Sequence, residues 1–442
     1  MEKVDTLIKA RWVAPVTPGA GALEHHAVAI SQGRIVDLLP AAEAVARYRA
    51  DEEVERPAHL LIPGLVNAHT HAAMTLLRGL SDDIPLMDWL HKHIWPAEQR
   101  WMSGEFVEHG TELAIAEMLR GGTTTFNDMY FFPDVAARVA ARIGMRACLG
   151  MILIKFPTVW ASDPADYLRK GLELRDAYKG HPLISTAFAP HAPYTVDDDY
   201  LQKIRRLADE LEVPVHIHLH ETADEVLGSV VDCGARPLAR LEGLGLLSPM
   251  LMAVHMTQLE DQEIAALAAA GASVVHCPES NLKLASGFCP VAKLLDAGVN
   301  VCLGTDGAAS NNDLDMIGEM RTAALLAKGV AGRPDALGAE QALAMATING
   351  ARALGLGEQT GSIESGKWAD LCCVGLQQPA TWPVYDPVAQ LVYAAGRDQV
   401  SDVWVAGRRM VADGHLARLD ESAIIKRASD WRDRIAGADI DD

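Results

Sequence analysis

The chain has 442 residues, 49% of them apolar, and its 59 acidic and 39 basic side chains leave a net charge of −20. A surface of that sign repels a phosphate backbone, which excludes nucleic acid as a natural partner and suits a small neutral or cationic substrate. No apolar stretch reaches the roughly 18–20 residues that span a bilayer, so neither a transmembrane helix nor a membrane partner is expected.

From the N-terminus, residues 1–58 read as short β-strands. Ala27–Ile30 and Arg34–Leu38 flank Ser31-Gln32-Gly33, a hairpin turn. Between residues 59 and 368 strands alternate with helical patterns, as parallel β/α architecture requires. Eight strands are predicted near Leu60–Val66, Thr123–Asp128, Arg146–Met151, Ile184–Ala189, Val215–His220, Met252–His255, Ser273–His276 and Asn300–Gly304. Helices are predicted over Gly110–Arg120, Asp134–Ile143, Asp198–Leu211, Asp261–Ala270 and Pro290–Ala297. The insertion Gly79–Arg100 carries Pro85, Met87, Trp89, Ile94 and Trp95, an expected apolar cover over the strand ends. Residues 369–442 return to β character, with a strand at Ala369–Val374, a hairpin at Val403–Val411, a C-terminal helix and a frayed acidic end. The expected fold is α/β: a distorted (β/α)8 TIM barrel over 59–368, beside a small β-sandwich domain built from 1–58 and 369–442.

Seven scattered cysteines, most in apolar strands, point to a reducing cytoplasm rather than a disulfide framework. The opening Met1–Asp5 lacks the pattern of a secretory signal, which agrees with that location. Cys372-Cys373 is a poor metal pair because neighbours on a strand face opposite ways.

The chemistry-bearing side chains close the predicted strands. Residues two apart on a strand point the same way, so His69 and His71 can share one ion. A lone His-x-His is weak evidence. Further apolar runs, however, end in Pro190-His191, His218-Leu219-His220-Glu221, Val254-His255 and Gly304-Thr305-Asp306-Gly307. Polar residues at successive strand ends describe an active site on the C-terminal face of a barrel. His69, His71, His218 and Asp306 supply three imidazole nitrogens and a carboxylate, which suits a catalytic zinc with one position left for water. Such an ion lowers the pKa of its water to about 7. The fourth strand holds no lysine to bridge two ions, so one divalent ion is expected. Zinc is favoured, with iron or manganese also compatible.

His216, His218 and His220 share a strand face, so spacing alone does not single out the ligand. The choice of His218 rests on Glu221, three residues on, which can approach a substrate over the metal as general acid and proton shuttle. His216 is then expected to be a packed barrel histidine and His220 a rim residue. His255 is expected to hydrogen-bond the metal's water and polarise a substrate. Asp306 serves as ligand and as base for the attacking water.

Pro63–His71 followed by Met74–Gly79 resembles the amidohydrolase superfamily. Within it the chain is similar to the 5′-methylthioadenosine/S-adenosylhomocysteine deaminases, also at His191–Thr195, Cys277–Leu284, Thr305–Asn312 and Gly361–Leu371. The resemblance implies hydrolytic removal of the 6-amino group from an adenine nucleoside, giving the hypoxanthine analogue and ammonia. It implies that Glu98 takes the ribose hydroxyls and that His191 contacts purine or ribose. Members that accept S-adenosylhomocysteine can carry an arginine at the end of strand three. Met151 aligns there, and an apolar pocket suits a methylthio group better. Guanine or cytosine deaminases and triazine hydrolases share the metal chemistry, but a ribose-free substrate has no need of Glu98. A catalytically silent relative would have no need of the intact ligand set. Such barrels often associate, so a homodimer or tetramer is expected.

Overall fold

The structure is a computed structural model and describes residues 1–438. Eight parallel strands follow one another in sequence order around a barrel. They are Leu65–Thr70, Thr123–Asp128, Arg146–Leu153, Ile184–Pro190, Val215–Leu219, Leu251–His255, Ser273–His276 and Asn300–Leu303, hereafter barrel strands one to eight. Helices cover the outside. Asp198–Leu211, for example, buries Leu201, Ile204 and Ala208, spaced three and four apart along one stripe. Barrel strands one to three are buried at every position, so their sequences show no alternation of inward and outward faces.

Strands one and eight meet through a bridge between Thr70 and Asp306. The Asp306 amide donates to the His69 carbonyl at 3.0 Å. One step down, the Asn67 amide donates to Thr305 Oγ1 at 2.7 Å and accepts from Thr305 N–H at 3.0 Å. Closing the barrel therefore brings His69 and Asp306, 237 positions apart in the chain, to one place.

The run Leu60–Val66, expected as one barrel strand, divides at Gly64. Its first half ends the long strand Tyr48–Pro63, which pairs antiparallel with Leu371–Gly375 in the terminal sheet. Barrel strand one starts at Leu65. A Cβ on Gly64 would lie 2.2 Å from the Thr124 side chain, so glycine allows the chain to cross there. Both halves are buried, and the apolar pattern runs through the crossover unbroken.

Both chain ends contribute to a single eight-stranded mixed sheet. The first supplies Glu2–Val13, Leu23–Ser31, Arg34–Pro40 and Tyr48–Pro63; the second supplies Leu371–Gly375, Val400–Val405, Arg408–Ala412 and His415–Leu416. The sheet curls until the turn at Gly33 meets the turn at Ala406-Gly407, with Ala369 N–H donating to Gly33 O at 2.9 Å. Gly33 holds φ +75°, and a Cβ there would sit 2.5 Å from Ala406 O. Ile8, Val28, Ile35, Leu371 and Trp404 fill the inside of the curl. Cys373 joins that cluster while Cys372 joins the barrel core, so the two thiols face opposite ways.

A buried ion pair ties this sheet to the foot of the barrel. Arg146 donates to Asp370 at 2.7 and 3.2 Å, and Asp370 also accepts from Thr360 Oγ1 and the Ala406 amide. The C-terminal helix Glu421–Ala438 docks through Trp431, whose ring meets Phe106 at 5.2 Å and whose N–H donates to His109 at 3.0 Å. Residues 439–442, expected to fray, lie outside the described residues. Among the described residues no helix is long and apolar enough to cross a membrane.

Candidate metal centre and substrate pocket

Five donor side chains converge where barrel strands one, five, six and eight end. His69, His71 and Asp306 offer ligand atoms within 4.8 Å of one another, and so do His69, His218 and His255. Each histidine is aimed by a bond at its far nitrogen. His71 Nδ1–H donates to Met129 O at 2.6 Å and His218 Nδ1–H to His191 O at 2.7 Å. A carbonyl only accepts, so both rings present a bare Nε2 to the centre. His255 Nδ1 pairs with Asn281 Oδ1 at 2.9 Å, and His69 Nδ1 with His216 Nε2 at 2.9 Å. His216 is thus more than the packed histidine expected. It supports His69 from inside the barrel, with Asn127 behind it at 3.2 Å.

Asp306 is fixed as firmly. Its Oδ1 lies 3.3 Å from His69 Nε2 and 3.2 Å from His71 Nε2, and accepts the Gly307 amide at 2.8 Å. Its Oδ2 accepts from Ser280 and Ser310 at 2.7 and 3.0 Å. Three strand ends leave the sheet in left-handed backbone, at His220, His255 and Asp306, with φ of +53°, +74° and +63°. Such strain in residues other than glycine is characteristic of functional sites.

Burial opposes a charge on His69 and His218 and holds both below the usual imidazole range, as metal binding requires. Desolvation works the other way on Asp306, but the His69 and His71 imidazoles beside it keep it well below the usual carboxylate range. His69 Nε2 is fully enclosed and has no hydrogen-bond partner. A buried bare nitrogen beside a carboxylate and further imidazoles is the environment a divalent ion fits.

Above this floor opens a cavity of about 520 Å³. His71, His218, His255 and Asp306 reach its base, and Glu221, Glu98 and His191 line its wall. Glu221 Oε2 stands 3.8 Å from His255 Nε2, and desolvation raises its carboxyl above the ordinary value. Tyr130, which sequence reasoning did not single out, donates to Glu98 Oε1 at 2.8 Å. Desolvation pushes Glu98 up to about 7 against the pull of that bond. His191 Nδ1 meets Thr195 Oγ1 at 3.0 Å, and burial pushes its imidazole down to about 3.

The apolar cover is only partly as expected. Trp89, Ile94 and Trp95 line the cavity together with Leu86 and Leu90, whereas Pro85 is exposed and Met87 is 41% exposed. The wide turn Leu90–Ile94 between two α-helical stretches sets that phase. His220 is not on the rim. Its ring turns away from the cavity, with Nδ1 against Gln258 O and Nε2 accepting the Leu238 amide.

The placement of Met151 is a correction. Its side chain points out of the barrel onto helix Pro164–Ala177, where a Cβ on Gly171 would stand 2.8 Å from Met151 Cβ. Ile152 and Ile154 face the cavity instead. Arg78 is held by Glu117 and Asn312, and Arg169 by Asp166 and Glu173, so neither enters. Among the described residues, no lysine or arginine lines this cavity.

Fold and donors together define a (β/α)8 barrel with a histidine-rich cluster at its C-terminal end that could hold a metal ion. The Amidohydrolase family matches residues 60–410, and the chain belongs to that family. It is 50% identical over 432 residues, 98% of either chain, to a 5-methylthioadenosine/S-adenosylhomocysteine deaminase of Teredinibacter turnerae. The crystal structure of an adenosine deaminase from Xanthomonas campestris with bound zinc is 56% identical, covers 99% of each chain and superposes with a TM-score of 0.98. An atrazine chlorohydrolase from Arthrobacter aurescens, 23% identical with a TM-score of 0.90 over 96% of this chain and 99% of its own, shares the fold.

Proposed function

We propose that this chain removes the 6-amino group of adenine nucleosides by hydrolysis, adding water at C6 and releasing ammonia and the hypoxanthine nucleoside. The observation that carries the reading is one cavity with the donor cluster at its base, an acid in its wall and a second carboxylate within it. His69, His71, His218 and Asp306 would hold one divalent ion, zinc first, with iron or manganese compatible with the same donors. When bound, that ion supplies the Lewis acidity that activates water at neutral pH. Asp306 is the base that accepts a proton from the attacking water. Glu221, whose carboxyl is raised above its ordinary value by its dry surroundings, moves a proton to purine N1 and makes C6 electrophilic. The neighbouring His255 hydrogen-bonds the developing oxygen at C6. Glu98 accepts the ribose hydroxyls while Tyr130 holds its other side, and His191 borders purine or ribose.

Ile152, Ile154 and Phe156 line the cavity and no lysine or arginine among the described residues does, so the substrate tail would meet apolar wall rather than a cation. The ranking therefore places 5′-methylthioadenosine and adenosine above S-adenosylhomocysteine, whose carboxylate and ammonium lose hydration without partners. Steady-state kinetics on a panel of adenine nucleosides, guanine, cytosine and a triazine tests the reading. Turnover of a ribose-free ring above every nucleoside would overturn it. A cytoplasmic location, supported by seven unpaired cysteines, belongs to the same proposal, as does a homodimer or tetramer. Sedimentation velocity checks the oligomer.

A further inference from the structure

Glu221 stands just past the end of barrel strand five, where no sheet ladder holds it. Strand pairing stops at Leu219, opposite His255. The chain then kinks through His220, and the helix Ala223–Cys233 begins only after Thr222. The backbone that carries the acid is nevertheless tied on both sides by two side chains. Glu225, in the first turn of that helix, accepts the Glu221 amide on Oε2 at 2.6 Å and the His220 amide on Oε1 at 3.2 Å. Thr257 Oγ1 donates to the Glu221 carbonyl at 2.7 Å, its shortest contact with an acceptor.

We propose that Glu225, with Thr257 as its counterpart, is a positioning residue for the reaction. Its carboxyl group fixes the backbone of Glu221, and so the reach of the acid over the cavity floor. This rests on the reading of Glu221 given above. The chemistry favours a glutamate. Two converging amide N–H groups need two acceptor oxygens, which a carboxyl group presents on one rigid plane and a carboxamide does not; burial raises this carboxyl to about 8 against the pull of those two amides. The side chain of His220 completes the mount. With both ring nitrogens bonded away from the cavity, it holds the kink that turns Glu221 inward.

Displacement of a reacting group by about 1 Å costs roughly 10²-fold in rate. Glu225→Gln, which leaves one amide without an acceptor, is therefore expected to lower kcat about 100-fold. KM for adenosine and the bound zinc per chain should stay near wild type. The decisive arm is the double variant with Glu221→Gln. If Glu225 acts through Glu221, the second change adds almost nothing to the first, because side chains that act as a unit are non-additive. Thr257→Val should lower kcat with KM kept and Thr257→Ser should restore it, which keeps the idea testable if Glu225→Gln does not fold. Near-wild-type kcat in Glu225→Gln, undiminished loss on top of Glu221→Gln, or equal rates in the two Thr257 variants would each overturn the proposal. An active Glu221→Gln enzyme would instead sink the reading of Glu221 itself.

Discussion

Replacing Glu221 by glutamine tests the proposed chemistry most directly, because the structure isolates the change to one function. The side chain is not among the converging donors, and its ties to Glu225 and Thr257 run through its backbone, so metal and local geometry should persist. Stability should not suffer either. Burial raises this carboxyl above its ordinary value, meaning that the folded protein disfavours the charge and accepts a neutral amide. The rate, however, loses proton transfer to the ring. Such steps contribute about 10²–10⁴-fold, which corresponds to roughly 2.7–5.4 kcal/mol in the barrel's transition-state stabilisation at 1.36 kcal/mol per decade. The assay is the ultraviolet change as an adenine ring becomes hypoxanthine, run beside ammonia release, metal analysis and a melting curve. Turnover within tenfold of wild type, roughly 1.4 kcal/mol, with metal and melting temperature unchanged, would refute the assignment of the acid.

Combined His69→Ala and His218→Ala removes two of the four proposed ligands, so the purified protein should lose its divalent ion. Stoichiometric metal after mild chelation and dialysis would count against the site. Glu98 sits near 7 because desolvation outweighs the Tyr130 bond, and only its ionised form offers both oxygens as acceptors. KM for ribonucleosides should therefore rise as pH falls through about 7 and flatten in Glu98→Gln; an identical pH profile in that variant would contradict the ribose role. Asp370→Ala strands the buried Arg146 guanidinium and should cost about 3–5 kcal/mol in denaturant unfolding. A loss typical of a surface pair, below about 1 kcal/mol, would show that the pair does not tie the two sheets.

Much of the candidate site was legible in one dimension. A barrel gathers its chemistry at strand ends, and polar residues closing apolar runs mark those ends whatever the rest of the chain does. His69, His71, His191, His218, Glu221, His255 and Asp306 all stood out for that reason. The alternation of a strand also made His69 and His71 neighbours on one face. Family resemblance, not pattern, singled out Glu98, since an acid in a helical insertion has no periodic signature of function.

What stayed illegible depended on phase and on long-range contact. Met151 sits in a strand buried on both faces, within the run Ala147–Leu153 where no polar residue says which side faces the pocket. Barrel closure sets that phase and gives the cavity to Ile152 and Ile154. The split at Gly64 escaped notice for the same reason, as two buried strands from different sheets run on as one apolar segment. His216, Tyr130 and Thr257 matter through partners fixed only when the chain closes, and Glu225 through a local kink that no periodic pattern marks. Sequence alone determined which groups could do chemistry and at which end of the barrel they lie. Tertiary structure decided which way each one points, because hydrogen bonds between distant residues, rather than local backbone preference, fix those side chains in place.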